Sequence, residues 1–174
     1  MTAVTQLTTL SPLPADRVSA VRAAVAALPG GAHSPFASVP GTHFDRLVVV
    51  THLGARGGAE QRIELERPCV LFAANCDGDA SDYLEGLAKA LGDSLDSVFG
   101  ECDGCPGSAD PVAFAAWLQG HEVPPLLAFA TVDAPVEAIQ AGLEARDQLA
   151  RFAVRGQSLA PAELRVAWRQ EFGW

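Results

Sequence analysis

Thr42–Leu53, THFDRLVVVTHL, and Pro68–Asn75, PCVLFAAN, decide the fold. The first carries the β-branched run Val48, Val49 and Val50 at its centre and reads as the strongest strand of the chain. The second is apolar on both of its faces, which predicts a buried strand in a sheet covered on both sides. Between them, Gly54, Gly57 and Gly58 predict a flexible turn, and the polar run Glu60–Arg67 an extended hairpin arm. Two such strands in succession pair as an antiparallel hairpin, with the start of one beside the end of the other.

Towards the N-terminus, Val4, Gln6, Thr8 and Leu10 predict another strand, ended by Pro12 and Pro14. Asp16 then opens a helix in which Val18, Val21, Val25 and Leu28 recur at helical spacing, and Pro29-Gly30-Gly31 stops it. Ala32 to Gly41 reads as a loop. Towards the C-terminus, Asp77-Gly78-Asp79 breaks the buried strand. A helix is predicted from about Asp82 to Leu91, with Tyr83, Leu84, Leu87 and Leu91 on one side and Gly92 at its end. Asp110 caps a short helix that has Pro111 at its first position and carries Phe114, Trp117 and Leu118. Either Ser97–Glu101 or Pro125–Val132 supplies a fourth strand. Pro135 starts a long amphipathic helix through Val136, Ile139, Leu143 and Phe152, and Ser158–Phe172 reads as a terminal helix. The order is strand, helix, strand, strand, helix, strand. It predicts a single α+β domain over 1–174, a ferredoxin-like βαββαβ sheet with a helical extension from about 134.

Composition narrows the function classes. Of the 174 residues, 49% are hydrophobic and 19% charged, which fits a globular chain and not a disordered one. The net charge of −9 argues against nucleic-acid and anionic-membrane partners, both of which need a basic footprint. The longest apolar runs are strand-sized, so no membrane span is predicted. MTAVTQLTTL lacks the basic and apolar regions of a signal peptide, and four Cys without such a signal read as thiols, so a cytoplasmic protein is expected. The sequence has no Gly-x-Gly-x-x-Gly, P-loop, Gly-x-Ser-x-Gly or His-Glu-x-x-His motif.

In its element order, the chain from residue 1 to about 132 resembles the dimeric α+β barrel superfamily. That superfamily includes the antibiotic-biosynthesis monooxygenases, the chlorite dismutases and the dye-decolourising peroxidases. Asn75-Cys76-Asp77-Gly78 is similar to the distal-haem motif of the last (Gly, two residues, Asp, Gly), with Ala74 where that motif opens on Gly. The resemblance implies a small oxidoreductase or other cofactor-dependent enzyme, haem as its cofactor, and a small-molecule substrate. PCVLFAAN and LVVV, apolar on both faces, further predict a homodimer formed through the sheet face that the helices leave open, with the terminal helix ending in Trp174 as the rival cover. A non-catalytic protein of the same fold, binding a small molecule or a partner, is the alternative.

The candidate site residues follow from chemistry and placement. His43 starts the strongest strand and His52 ends it. Strict alternation puts His43 on the face of Leu47 and Val49, and His52 on that of Phe44, Val48 and Val50. Each is either a general base or axial ligand, or a core-edge His with a satisfied ring. Asp77, at the end of the buried strand, either orients a base or makes a turn that caps the next helix. His43 and Asp77 are expected to meet at one edge of the sheet. They are candidates for catalysis together with Arg46, while Asn75 and His52 are candidates for cofactor binding. Cys102-Asp-Gly-Cys105-Pro has the spacing of a redox dithiol or half a metal site, or is a structural loop.

Overall fold

In the computed structural model, which describes residues 4–54, 62–124 and 134–173, the two deciding segments are strands β2 (Thr42–Gly54) and β3 (Arg62–Asp77). The polar arm up to Arg67 and the buried run from Pro68 are thus one strand from Arg62 onwards. Strand β1 (Val4–Pro12) pairs with the other side of β3. The result is an antiparallel sheet in the order β1-β3-β2, with a mixed α+β architecture.

Register separates two faces. Leu7, Thr9 and Ser11 of β1 share a face with Val70, Phe72, Ala74 and Cys76 of β3 and with Leu47 and Val49 of β2. This face is the core. Helices α1 (Val18–Ala27), α2 (Ala80–Phe99) and α3 (Pro111–Gln119) belong to the same core. Phe72 sits at the centre of a chain of rings, 5.9 Å from Phe36 and 6.2 Å from Phe99, which in turn lies 5.8 Å from Phe114. The opposite face is less covered: Leu10, Phe44 and Val48 are 37%, 50% and 40% exposed. The double cover expected from PCVLFAAN is therefore present on the helix side, while the other face keeps apolar side chains in solvent.

Helix α2 is longer than the sequence predicts. Gly92 kinks it, with φ 1° and ψ −87°, but does not end it. Leu95, Val98 and Phe99 beyond the kink are buried, and their packing carries the helix through the weak point. Ser97–Glu101 is thereby not a strand: Ser97 to Phe99 are helical and Glu101 lies in the turn that follows. The alternative fourth strand, Pro125–Val132, lies outside the described residues. Just before it, however, Thr9 and Glu122 form an antiparallel bridge, Leu10 donates its N–H to His121 O at 3.0 Å, and Val123 donates to Thr8 O at 2.8 Å.

The chain divides into two compact units, Met1–Val136 and Glu137–Trp174. The predicted helical extension is thus a unit of its own. It consists of α4 (Val136–Gly156), whose first residue closes the larger unit, and α5 (Pro161–Phe172). Trp168 and Phe172 pack against Phe152 at 5.4 and 5.3 Å. Gly156 allows α5 to come close, since a Cβ there would lie 2.9 Å from Leu164 Cδ1. Among the described residues, no helix is long and apolar enough to cross a membrane.

Candidate functional site

Pairing of β2 with β3 is continuous except at two points, and one of them is His43. Thr42 pairs with Cys76 and Phe44 with Asn75, so His43 is the extra residue of a one-residue bulge. A bulge re-aims the side chain it carries. Here His43 Nε2 lies 2.8 Å from Asp77 Oδ1, with the two side chains only 14% and 17% exposed. An ionised carboxylate only accepts hydrogen bonds, so Nε2 carries the proton and the Nδ1 lone pair of a neutral ring stays available.

Asp77 is fixed from several sides. Its amide donates to Gly41 O at 2.9 Å, and its Oδ2 accepts from the Val136 amide at 2.9 Å. Gly41, at φ +80°, is in the left-handed region, and a Cβ there would come within 3.1 Å of Asp77 Cβ. Both conformation and space therefore favour glycine. Gly78, also at φ +80°, turns the chain from β3 towards α2. Asp79, not Asp77, caps that helix, accepting from the amides of Ser81 at 2.7 Å and Asp82 at 3.3 Å. The capping role that sequence reading offered for Asp77 belongs to its neighbour.

His43 and Phe44 line a cleft of about 480 Å³ formed by the start of β2, the end of α1 and the turn after it. Val25, Leu28, Phe36 and Leu47 supply apolar walls, and Asp45 supplies a carboxyl group that burial pushes above the usual carboxylate range. Thr42 also lines the cleft, but its hydroxyl is engaged: it donates to Val39 O at 2.9 Å and lies 3.1 Å from Tyr83 Oη. Burial moves the Tyr83 hydroxyl up to about 12.

The other expected site residues fall elsewhere. Arg46, a candidate for catalysis with His43, and Asn75, a candidate for cofactor binding, are placed by the register with Ala73, Phe44 and Gln6 on the sheet face away from the helices. Arg46 lies 5.8 Å over the Phe44 ring. His52 lies beyond a second irregularity, between Val50 and His52, where β3 passes through Pro68. A break in register thus lies beside each His, and His43 still lines the cleft with Leu47, the residue with which alternation groups it. His52 Nδ1 is 3.2 Å from Thr51 Oγ1, and His52 does not line the cleft.

Cys102 and Cys105 are at the other end of the sheet, in a tight loop after α2. All four cysteines of the chain are free thiols. Cys102 is buried, and its thiol is pushed up to about 12, first by burial and then by Cys105 and Asp103; burial also raises Cys105. The loop is tied by Asp103, whose amide donates to Pro12 O at 3.0 Å and whose carbonyl accepts from Trp117 Nε1 at 3.2 Å. Among the described residues, no group of three or more His, Cys, Asp or Glu side chains is placed to hold a metal ion.

Sequence reading missed Asp45. Asp45 stands beside Arg46 and reads as an ordinary solvent-facing charge; period two groups it with Leu47 and Val49, and the register, which sets it opposite Ala74, puts that face on the helix side. Searches against protein-family models, curated proteins and solved structures return no match.

Proposed function

We propose that this chain acts on a small organic molecule held in the cleft under β2, with His43, oriented by Asp77, as the proton-transfer group. The observation that carries this reading is the 2.8 Å contact between His43 Nε2 and Asp77 Oδ1 at the cleft wall. A carboxylate that fixes one ring nitrogen leaves the other directed to a reacting group, the arrangement a general base requires. The ferredoxin-like βαββαβ form of the fold belongs to the same proposal. It is supported by the strand order β1-β3-β2 and by the antiparallel bridge that brings Glu122 beside the free edge of β1.

The resemblance to dimeric α+β barrel oxidoreductases suggests redox chemistry on haem. The cleft residues do not fit that group. Haem brings two carboxylates, whereas the described residues of the cleft lining include no Lys or Arg and do include the Asp45 carboxylate. A non-catalytic binding protein is the second reading, favoured by His43 and Asp45 being, among the described residues, the only ionisable side chains lining the cleft.

A second copy of the chain is the proposed cover for the other sheet face. Leu10 and Val48 flank Leu71 in register there, and an apolar row of this kind is rarely left in water. Sedimentation should show a dimer at micromolar concentration and a monomer for Val48→Asp; a monomeric parent overturns this part.

A fragment screen followed by amide NMR tests the central reading. Hits should shift the signals of Thr42 to Leu47. Hits transformed by the parent but not by His43→Gln establish catalysis, and hits bound unchanged establish the binding reading. If no fragment moves those signals, both fail.

A further inference from the structure

The cleft has a one-sided charge chemistry. Its apolar walls are Val25, Leu28, Phe36, Phe44 and Leu47, and among the described residues it presents one carboxylate, Asp45, and no Lys or Arg. Among the described residues, Asp45 has neither an ion-pair partner nor a hydrogen bond to its carboxylate. Burial raises its carboxyl. Taking a carboxylate partly out of water without a partner costs stability, and such uncompensated groups collect at binding sites.

Two of the other polar side chains in the wall are already committed, and the Ser34 hydroxyl is a neutral third. His43 gives Nε2 to Asp77, and the Thr42 hydroxyl is shared between Val39 O and Tyr83. Among the described residues, a ligand entering the cleft therefore meets apolar carbon, the Ser34 hydroxyl, the His43 ring and one unpaired carboxylate. An anion is repelled by Asp45, and a neutral body leaves it unpaired. A cationic head satisfies it.

We propose that the cleft binds an organic amine, with its ammonium group on Asp45 and an apolar body against Val25, Leu28, Phe36 and Leu47. This inference rests on reading the cleft as a ligand site and adds the class of ligand. The ammonium supplies donors to a carboxylate that accepts none from the described residues, and a charge-assisted bond of this kind in a partly dry site is the strongest contact they offer.

Three molecules that share a phenyl body and differ in the head test the assignment: 2-phenylethylamine, 2-phenylethanol and 3-phenylpropionate. Each is titrated into the full chain while the amide signals of Thr42 to Leu47 are followed. The amine should bind roughly tenfold or more tighter than the alcohol, as one added charge-assisted hydrogen bond implies, and the carboxylate most weakly. Asp45→Asn, which keeps size and shape, should remove the difference between amine and alcohol without unfolding the protein. Equal binding of all three to the parent, or a preference that survives Asp45→Asn, overturns the amine assignment and leaves the role of His43 standing. Failure of all three to move the cleft signals overturns the assignment too, and the fragment screen then decides on His43 separately.

Discussion

The His43–Asp77 corner and the Cys102–Cys105 loop lie at opposite ends of β1 and β3, the first near the Val4–Asp77 pairing and the second near Pro12–Cys69. In the loop, two reactive side chains stand three residues apart and look like a motif. Folding buries Cys102, raises its thiol to about 12 and ties the backbone around it. In the corner, two ordinary residues that no motif links are brought within 2.8 Å by a strand pairing and a bulge, at the wall of a cleft. Spacing in sequence supplied the chemistry of the first pair; accessibility and orientation supply that of the second. A thiol is a nucleophile only as thiolate, and burial withholds the thiolate. An imidazole is a base only when one nitrogen is held and the other is free.

The largest effect expected from this contrast is kinetic. Raising a thiol from 9.0 to about 12 lowers its thiolate population at pH 8 about a thousandfold, so alkylation of Cys102 in the folded chain should be slower than in the denatured chain by about that factor. Mass-spectrometric mapping of the labelled peptides measures it site by site. Rates within tenfold of each other would mean that the loop opens readily and that the contrast is false.

How far the two regions were legible in the sequence follows from the same physics. Strands β2 and β3 were legible because a β-branched run and an apolar run do not depend on the rest of the fold to be strands. That His43 and Asp77 meet was legible from antiparallel pairing alone. The bulge was not, because an extra residue in a ladder has no signature in a run such as Gly41-Thr42-His43-Phe44. Helix α2 was cut short at Gly92 because propensity argues for a stop there, whereas burial of Leu95, Val98 and Phe99 overrides it. In β1 the sequence drew attention to Val4, Gln6, Thr8 and Leu10, yet the buried positions are Leu7, Thr9 and Ser11. Two hydroxyls in a strand read as a solvent face; these two are buried with no hydrogen-bond partner among the described residues.

Stability separates the two regions further. Asp77→Ala removes the acceptor for both His43 and the Val136 amide and should cost about 2 kcal/mol in denaturant unfolding. His43→Ala loses one of those bonds and should cost about 1 kcal/mol or less, with ligand binding or turnover lost. The doubly substituted Cys102→Ser/Cys105→Ser chain should also lose only about 1 kcal/mol, a shift of a few degrees in Tm, with no change in bound metal. A His43→Ala chain as damaged as Asp77→Ala, with its ligand response intact, would make the corner a structural tie. Loss of a stoichiometric metal from the cysteine variant would make the loop a ligand set.

The smallest effect concerns Asp45. Its carboxyl is raised by burial, so the folded chain holds the proton more tightly than the unfolded chain does. The sign follows from linkage: this group favours the fold below its unfolded pKa, and that contribution is lost as pH rises through its folded pKa. Asp45→Asn should therefore leave stability unchanged near pH 3 and raise it at pH 7, by about 0.5 kcal/mol or less once solvent screening is allowed for. A decrease at pH 7 would show that Asp45 has a favourable partner in the free protein.

The most direct test of the account is the protonation pattern of the His43 ring, read from its two imidazole nitrogen signals by NMR at a pH where the ring is neutral. With Asp77 in place, the proton is predicted on Nε2 and the lone pair on Nδ1; in Asp77→Ala that preference should weaken towards a mixture of tautomers. A neutral His43 ring carrying its proton on Nδ1, or a pattern indifferent to Asp77, would contradict the claim that this pair is an oriented base.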